Sequence, residues 1–227
     1  MNRGFFITGT DTHVGKTFVT TQLMKNWNGF LDLCSTNSQN KSTHQTYKVL
    51  GIKPVASGCM DTPWGLRHDD ALLLQQTANV KLKYEHINPF CFTPPISPNI
   101  AAAQQISSLR VNTILKACHP ALTTDCDFIF VEGCGGWLTP LNEQETFADL
   151  AQALGFEIIL VVSIRLGCLN HALLSAKQIE GSGLKFAGWI ANLDQPSTLC
   201  IQEIVDTLRI RMTAPLLGIM PFHPLNF

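Results

Sequence analysis

Residues 4–17 read Gly-Phe-Phe-Ile-Thr-Gly-Thr-Asp-Thr-His-Val-Gly-Lys-Thr, an apolar run followed by a loop that ends in Gly-Lys-Thr. The run predicts a β-strand over 4–8, and a helix is predicted over 16–27. Strand, glycine loop and helix in this order are typical of a loop that binds nucleotide phosphates. Backbone N–H groups and the helix N-terminus point at the phosphate oxygens, Lys16 adds a charge near the β and γ phosphates, and Thr17 offers its hydroxyl to Mg2+.

The spacing of this loop differs from the generic pattern. Five residues separate Gly9 from Gly15, whereas G-x-x-x-x-G-K-T has four, so Thr10 stands at the first position of the pattern. The alternative is that Gly15-Lys16-Thr17 opens a helix without binding a phosphate. The strand before the loop and the helix after it favour the phosphate-binding interpretation, and we predict an enzyme that uses a nucleoside triphosphate for phosphoryl transfer.

Beyond the loop, β-rich runs alternate with segments of helical length, which predicts parallel strands joined by crossover helices. The predicted strands are 4–8, 47–53, 127–132, 157–162, 184–191 and 216–220. The predicted helices are 16–27, 70–77, 112–117, 146–154, 170–180 and 197–211. Several strands are apolar without alternation, as expected when both faces of a sheet are covered. We therefore expect a single-domain α/β P-loop NTPase fold over residues 1–227, with a mostly parallel sheet and helices on both faces.

Length and composition narrow the class of protein. A chain of 227 residues with 45% hydrophobic content can bury one large core without a second domain. The net charge of -1 and the scattered basic residues give no basic patch for nucleic acid or an anionic membrane. The apolar run 5–7 is too short for a signal peptide or a membrane span, so we expect a cytoplasmic protein.

The eight cysteines, at positions 34, 59, 91, 118, 126, 134, 168 and 200, show no C-x-x-C spacing. We expect free thiols, because the chain is not a small secreted scaffold and buried cysteine behaves as a small apolar side chain. Segment 35–46 is rich in Ser, Thr, Asn and Gln, and we expect a flexible surface loop there.

Candidate partners of the phosphate loop stand at the ends of other strands, where an α/β sheet keeps its chemistry. Lys53 ends the second strand and Ser57 lies on the tight loop after it, and the alternative for Lys53 is a solvated charge. Glu132 precedes a glycine-rich turn, where a carboxylate is typically directed at a metal; the alternative is a surface acid. Asp69 and Asp70 begin a predicted helix, and the residues alone favour stabilisation of its N-terminus over a second Mg2+ ligand.

Two further segments follow predicted strands. Residues 165–171 precede a helix and form a second candidate anion site at a helix N-terminus. His171 at that helix start is interpreted as structural, and no Ser/His/Asp arrangement or zinc-ligand spacing is present. Asn192-Leu193-Asp194 lacks the lysine of the guanine-specific motif N-K-x-D, which favours adenine as the base.

Six segments, taken in order, carry a resemblance to a known family. They are Thr8-Gly9-Thr10-Asp11-Thr12 with Val14-Gly15-Lys16-Thr17, Lys53-Pro54-Val55-Ala56-Ser57-Gly58, Asp70-Ala71-Leu72, Val131-Glu132-Gly133-Cys134-Gly135-Gly136-Trp137, Leu166-Gly167-Cys168-Leu169-Asn170-His171 and Gly188-Trp189-Ile190-Ala191-Asn192. Together they resemble dethiobiotin synthetase, and the longer spacing of the phosphate loop is that family's own pattern. The resemblance implies a homodimeric, ATP- and Mg2+-dependent ring-closing ligase of biotin biosynthesis.

The implied reaction begins when 7,8-diaminopelargonic acid takes up CO2 as a carbamate. ATP then phosphorylates the carbamate to a carbamic-phosphoric anhydride. The second amine attacks the activated carbonyl, phosphate leaves, and the cyclic urea of dethiobiotin forms.

The resemblance also implies roles for residues at matching positions. Lys53 and Lys16 are the implied catalytic residues, and Thr17, Asp70 and Glu132 are the implied Mg2+ ligands. The implied nucleotide contacts are His13, Val14, Gly15, Lys16, Thr17, Phe18, Asp70, Glu132, Gly133, Cys134, Gly135, Asn192, Pro221, Phe222 and His223. The implied substrate contacts are Thr12, Ser57, Gly167, Cys168, Leu169 and Asn170, the last four across a subunit interface.

The chain departs from the family pattern in three places. His13 stands where glutamate is common, and Cys134 replaces the alanine usual in Glu-Gly-Ala-Gly. The sequence given ends at Phe227, short of the tail that completes the adenine pocket in many members.

Two other classes share parts of this pattern. A nucleotide-switch ATPase of the partitioning or septum-positioning type has the same sheet and loop, but it usually carries a second lysine where this chain has Gly9-Thr10. Such proteins also often end in an amphipathic membrane-binding helix, for which no pattern is seen here. An amidotransferase-linked cobyrinate synthetase needs a glutaminase domain, for which 227 residues leave no room.

Overall fold

The computed structural model of the chain describes residues 3–26, 47–105, 109–195 and 199–222. Its strands are β1 (Arg3–Gly9), β2 (Val49–Ile52), β3 (Val55–Ser57), β4 (Met60–Thr62), β5 (Gly65–Arg67), β6 (Phe90–Phe92), β7 (Phe128–Gly136), β8 (Glu157–Ser163), β9 (Phe186–Asn192) and β10 (Leu216–Met220). Its helices are α1 (Lys16–Lys25), α2 (Asp69–Thr77), α3 (Tyr84–Ile87), α4 (Pro98–Gln104), α5 (Val111–Leu122), α6 (Phe147–Leu154), α7 (Cys168–Glu180) and α8 (Ile201–Arg211). Within these ranges, no helix combines the length and the apolar character needed to cross a membrane.

A sheet of six strands forms the centre of the described part of the chain, in the order β10-β9-β8-β1-β7-β2, with every neighbouring pair parallel. Consecutive side chains of a strand point to opposite faces, and every residue of β8 from Ile158 to Ser163 is buried. Both faces of the sheet are therefore covered, which explains why this strand lacks alternation. The prediction of an α/β fold with a mostly parallel sheet is confirmed.

The register of the sheet aligns the strand ends that carry the candidate site. Ile7 of β1 is level with Glu132 of β7, and Ile52 of β2 is level with Val131. Lys53 follows β2 directly, so it reaches the same edge of the sheet as Glu132 and the loop after β1. Parallel pairing thus brings three separate parts of the sequence together.

Between β2 and α5 the chain forms small elements that the sequence pattern did not predict. β3 pairs in parallel with β6, and β4 and β5 form an antiparallel hairpin. Each of these strands has three residues, α3 has four and α4 has seven. Elements of this length are too short for a periodicity of side-chain type to be visible.

The expectation of free thiols is wrong for Cys59 and Cys91, which form a disulfide with their Cα atoms 6.0 Å apart. They lie 32 residues apart in the sequence, so no local spacing indicated the pair. They meet because β3 and β6 are neighbours, with Ala56 opposite Cys91. The thiols of Cys118, Cys126, Cys134, Cys168 and Cys200 are free, and position 34 lies outside the described residues.

Several element boundaries differ from the predictions. α5 was predicted over 112–117 but continues to Leu122, with Pro120 in its last turn. Its buried face, which includes Ile114, Cys118 and Ala121, packs into the core and compensates for the hydrogen bond that proline cannot donate. β7 extends beyond the predicted end at Glu132, and α7 begins two residues before the predicted start at Asn170. The predicted loop 35–46, helix residue 27 and helix start at 197 lie outside the described residues.

Candidate active site

The loop between β1 and α1 folds around the buried side chain of Lys16. Lys16 is 7% exposed, and its Nζ donates to the backbone oxygen of Asp11 at 2.9 Å. Gly15 has a left-handed backbone with φ of 86°, and a Cβ there would lie 2.1 Å from Nδ2 of Asn192. A Cβ at Gly9 would lie 3.1 Å from Nζ of Lys16. A Cβ at Gly9 would also lie 2.6 Å from Cγ2 of Val14, so the loop leaves no room for a larger residue at either glycine.

Lys53, Asp70, Glu132 and Thr17 form one hydrogen-bonded group beside this loop, which we call the lysine–carboxylate cluster. Nζ of Lys53 donates to Oε1 of Glu132 at 2.6 Å and to Oδ2 of Asp70 at 2.7 Å. The hydroxyl of Thr17 donates to the same Oε1 of Glu132 at 2.8 Å. Lys53 is 4% exposed and Glu132 is fully buried. Lys53 is therefore not a solvated charge, and Glu132 is not a surface acid.

The two acidic residues at the start of α2 have different surroundings. Asp69 is exposed to solvent, whereas the carboxylate of Asp70 pairs with Lys53. The sequence favoured stabilisation of the helix N-terminus as the role of both residues. For Asp70 the structure adds a second role, the ion pair with Lys53. Its side chain faces the lysine–carboxylate cluster.

The pKa values of the two lysines move in opposite directions. Burial, together with the nearby charge of Lys53, lowers the pKa of Lys16 to about 8. Burial also disfavours the charged form of Lys53, but the carboxylates of Glu132 and Asp70 outweigh it and raise the pKa of Lys53 above its usual value. Burial raises the pKa of Asp70, but the charge of Lys53 outweighs this and holds that pKa below its usual value. An anion bound in the loop would favour the charged form of Lys16, whose present partner is only a backbone carbonyl.

The cluster offers oxygen ligands that suit a divalent cation. Oε2 of Glu132 is buried and has no hydrogen-bond partner among the described residues, and the hydroxyl of Thr17 lies beside the same carboxylate. In the described part of the chain, no group of three or more His, Cys, Asp or Glu side chains could hold a metal ion. Mg2+ is usually bound by one or two carboxylates together with substrate phosphates, and the cluster supplies the carboxylates of Glu132 and Asp70.

Residues 133–136, predicted as a turn, continue β7 past Glu132 and approach the phosphate loop. Gly136, the last residue of β7, is level with Gly9 of β1. Gly135 has a φ of 68°, and a Cβ there would lie 2.6 Å from Oγ1 of Thr139. Cys134 is half-buried with a free thiol. The structure thus brings the predicted contacts at 133–135 close to the loop.

The structure places Ser57, a predicted substrate contact, at the end of β3. Its Oγ is buried and has no hydrogen-bond partner among the described residues, so it is free to bind a polar ligand group. The carbonyl of Ser57 accepts a hydrogen bond from Nε2 of His68 at 3.1 Å. Thr12, the predicted contact on the phosphate loop, is exposed.

The other predicted substrate contacts lie at the start of α7. Gly167 and Asn170 are exposed, Leu169 is half-buried and Cys168 is buried. Arg165, just before this helix, pairs with Asp11 of the phosphate loop, with Nη2 and Oδ2 3.2 Å apart. The helix start is therefore tied to the loop by an ion pair between exposed side chains.

Three of the predicted nucleotide contacts, Asn192, Pro221 and Phe222, lie at or just after the ends of β9 and β10. Asn192 is level with Met220, and Pro221 and Phe222 follow directly as exposed residues. The side chain of Asn192 is turned toward the phosphate loop, where Nδ2 donates to the backbone oxygen of Val14 at 3.0 Å. His223 lies outside the described residues.

Sequence reasoning missed three residues that contact the site, namely His68, Tyr84 and Asn88. His68 caps α2, since its Nδ1 accepts from the backbone N–H of Asp70 at 3.2 Å. Asn88 donates to the carbonyl of Lys53 at 2.7 Å. A polar residue directly before Asp69 and Asp70 is an N-cap signal, which could have identified His68. No sequence signal indicated the other two.

A parallel α/β sheet with a phosphate-binding loop, a buried lysine and a carboxylate beside the loop threonine defines a P-loop nucleotide-binding protein. The profile of the AAA domain family matches residues 3–225. The fold is similar to that of the septum site-determining protein MinD complexed with Mg-ADP from Pyrococcus horikoshii OT3, at 17% identity over 99% of this chain and 83% of that one, with a TM-score of 0.52. It is also similar to a ParA family ATPase from Chlorobium tepidum TLS, at 15% identity over 98% and 84%, with a TM-score of 0.52. At these identities the likeness concerns the fold alone.

Relatives with higher identity are more specific. The chain is 43% identical over 217 residues to the ATP-dependent dethiobiotin synthetase BioD of Pseudomonas paraeruginosa, covering 96% of this chain and 89% of the relative. It is 42% identical to that of Cellvibrio japonicus, with coverage of 96% and 89%, and 41% identical to that of Yersinia pestis, with coverage of 98% and 86%. The chain therefore belongs to the dethiobiotin synthetase family, and the predicted family and enzyme class, a ligase, are confirmed.

Proposed function

We propose that this enzyme closes the ureido ring of dethiobiotin from 7,8-diaminopelargonic acid, CO2 and ATP. One amine takes up CO2 and loses a proton to give a carbamate. The γ-phosphoryl group of ATP is transferred to a carbamate oxygen, which yields a carbamic-phosphoric anhydride and ADP. The second amine attacks the anhydride carbonyl and loses a proton, and the bond between that carbon and the phosphate oxygen breaks. The products are dethiobiotin, ADP and phosphate.

The observation that carries the proposal is the position of two buried lysines beside one loop. The charge of Lys53 acts on Lys16 strongly enough to contribute to its lowered pKa. Thr17, the residue after Lys16, donates to the same Oε1 of Glu132 as Nζ of Lys53, so Lys53 lies beside the start of the helix that carries Lys16. Transfer of a phosphoryl group to a carbamate develops negative charge at such a place, and preorganised cations stabilise it. We assign Lys16 to the β and γ phosphates and Lys53 to the transferred group.

Mg2+ fits the same site through Thr17, Asp70 and Glu132. The unpartnered Oε2 of Glu132 and the adjacent hydroxyl of Thr17 support this assignment. When bound, the metal would neutralise charge on the phosphate oxygens. The chain's own contribution is to hold the two carboxylates on separate strands and helices, each already oriented by Lys53.

The remaining assignments concern binding. Backbone N–H groups of 13–18 would hold the phosphates, since they surround the start of α1. The residues around Asn192, with Pro221 and Phe222, would form the corner that receives adenine. Residues 133–135 would approach the nucleotide closely because of their glycines. We place the enzyme in the cytoplasm, where ATP is available.

The diamine substrate also carries a carboxylate, which needs a binding site of its own. The free Oγ of Ser57 and exposed Thr12 would contact the reacting end of the substrate. The substrate carboxylate would reach across the subunit interface to the start of α7, at 167–170, of the other subunit. A helix N-terminus favours an anion there. The fully exposed side chain of Leu166 beside this helix suits a homodimer interface. Sedimentation equilibrium tests this arrangement, and a monomer at assay concentration would exclude it.

The function is tested by mixing the purified enzyme with ATP, Mg2+, bicarbonate and 7,8-diaminopelargonate. We expect phosphate release and formation of a ureido product, identified by mass spectrometry, and no release without the diamine. Phosphate release independent of the diamine would instead indicate a nucleotide-switch ATPase.

Two variants test the lysines. Lys16→Ala and Lys53→Ala should each lower turnover by at least ~100-fold, because they remove electrostatic stabilisation of the transition state. Lys48→Ala is the matched control, since Lys48 precedes β2 at the opposite end from Lys53 and its side chain is 59% exposed. Near-normal turnover of Lys53→Ala would show that this lysine is wrongly assigned.

A further inference from the structure

Five hydrogen bonds form a closed ring that begins and ends at Lys53. Nζ of Lys53 donates to Oδ2 of Asp70 at 2.7 Å, and the backbone N–H of Asp70 donates to Nδ1 of His68 at 3.2 Å. The backbone N–H of His68 donates to the hydroxyl of Tyr84 at 2.8 Å. That hydroxyl donates to Oδ1 of Asn88 at 3.0 Å, and Nδ2 of Asn88 donates to the carbonyl of Lys53 at 2.7 Å.

Every polar hydrogen on the side chains of His68, Tyr84 and Asn88 is donated to an acceptor, which fixes their orientation. The hydroxyl of Tyr84 accepts one hydrogen bond and donates one. The amide of Asn88 donates its second hydrogen to the carbonyl of Phe90 at 3.2 Å. Because Nδ1 of His68 accepts, the neutral imidazole carries its hydrogen on Nε2, which donates to the carbonyl of Ser57. No member can rotate without leaving a buried group unpaired.

Burial makes such a loss costly. Tyr84 is 6% exposed and Asn88 is 3% exposed. The guanidinium of Arg67 lies over the ring of Tyr84, 4.1 Å from its centroid, and blocks the tyrosine from solvent on that side. A lysine side chain has many rotamers, and this ring fixes it at both ends, at the backbone carbonyl and at the ammonium group.

We propose that His68, Tyr84 and Asn88 are positioning residues that hold the ammonium group of Lys53 in place for phosphoryl transfer. The inference rests on the proposed function of Lys53 but adds three residues that lie outside the six segments resembling the family. They act through Lys53 and Asp70, and none of the five hydrogen bonds of the ring involves a residue of the phosphate loop. Their loss should therefore reduce the rate of the chemical step and leave ATP binding intact.

The first test compares the chain's two tyrosines. Tyr84→Phe removes one hydroxyl and should lower kcat about tenfold, as expected for a buried hydrogen bond lost from a positioned group. The KM for ATP should stay within about twofold, because the backbone of the phosphate loop is untouched. Tyr47→Phe is the matched control, since Tyr47 is half-buried and packs edge-on against Phe128 away from the ring. It should change neither parameter.

The second test uses rescue at His68. His68→Ala removes the cap of α2 and should lower kcat, whereas His68→Asn restores a side-chain acceptor for the N–H of Asp70 and should recover most of the loss. A merely structural role would lower the melting temperature of both variants without this difference in kcat. The pair also keeps the inference testable if Tyr84→Phe does not fold.

A third readout does not depend on activity. Trace acetylation with acetic anhydride, quantified by mass spectrometry, reports how accessible each lysine is. Labelling of Lys53 relative to exposed Lys48 should rise severalfold in Tyr84→Phe and stay unchanged in Tyr47→Phe. If wild-type enzyme makes no dethiobiotin, the proposed function fails while this readout still tests the ring. Unchanged kcat and unchanged Lys53 labelling in Tyr84→Phe, or no recovery in His68→Asn, would overturn the inference.

Discussion

Replacing Lys53 with methionine keeps the approximate length of the side chain and removes its charge, so it isolates the electrostatic part of the cluster. The fully buried carboxylate of Glu132 then loses its ammonium partner 2.6 Å away. Removing one partner of a buried ion pair costs about 3–5 kcal/mol of unfolding free energy. For a chain of this size, we expect the melting temperature to fall by roughly 6–20 °C.

A double-mutant cycle separates this charge effect from lost packing. Glu132→Gln in the Lys53→Met background removes the unpaired charge, so the double variant should be more stable than Lys53→Met alone. The coupling free energy should be about 0.5–3 kcal/mol, measured by urea unfolding at pH 7 with circular dichroism. Lys48→Met, at an exposed lysine, should leave stability unchanged and serves as the control. Wild-type stability of Lys53→Met, or strictly additive effects, would refute the description of a buried, mutually dependent pair.

Three further predictions follow from single contacts. Gly15→Ala places alanine in a left-handed backbone, which costs about 1–3 kcal/mol, and its Cβ displaces Asn192. Calorimetry should therefore show at least about tenfold weaker ATP binding. Normal affinity would contradict the loop geometry. Because the pKa of Lys16 is lowered to about 8 and a bound phosphate favours the charged form, ATP affinity should fall as pH rises through that value. Calorimetry in buffers of different ionisation enthalpy should show proton uptake on binding at pH 9, absent in Lys16→Met. Reducing the bond between Cys59 and Cys91, which closes a loop of 32 residues, should lower unfolding free energy by about 3–4 kcal/mol, and a protein whose stability ignores reductant would contradict this.

The sequence predicted the parts of the site that depend on long, regular elements. The apolar runs of β7 and β8 were visible without alternation, and a parallel sheet places strand ends at one edge, so Lys53 and Glu132 could be expected near the phosphate loop. Whether the side chains of Lys53 and Glu132 are buried or solvated could not be predicted, because a residue at a strand end can be either. The structure shows that they meet, because β2 and β7 are neighbours and Nζ of Lys53 donates to Oε1 of Glu132.

The parts that were missed depend on short elements. Tyr84 and Asn88 lie in and just after a helix of four residues, and Cys59 and Cys91 meet through two strands of three. Such elements take their conformation from tertiary packing rather than from a local pattern, so neither the hydrogen-bonded ring nor the disulfide had a signal within a sequence window.

The proposed transfer of the γ-phosphoryl group to a carbamate oxygen is tested most directly by the fate of that oxygen. In a brief reaction with 18O-labelled CO2, the carbamate carries two labelled oxygens, and the phosphorylated one leaves with phosphate. We predict inorganic phosphate that contains one 18O atom, with the other retained in the urea carbonyl of dethiobiotin, both read by mass spectrometry. Unlabelled phosphate formed alongside labelled dethiobiotin would show that ATP does not phosphorylate the carbamate.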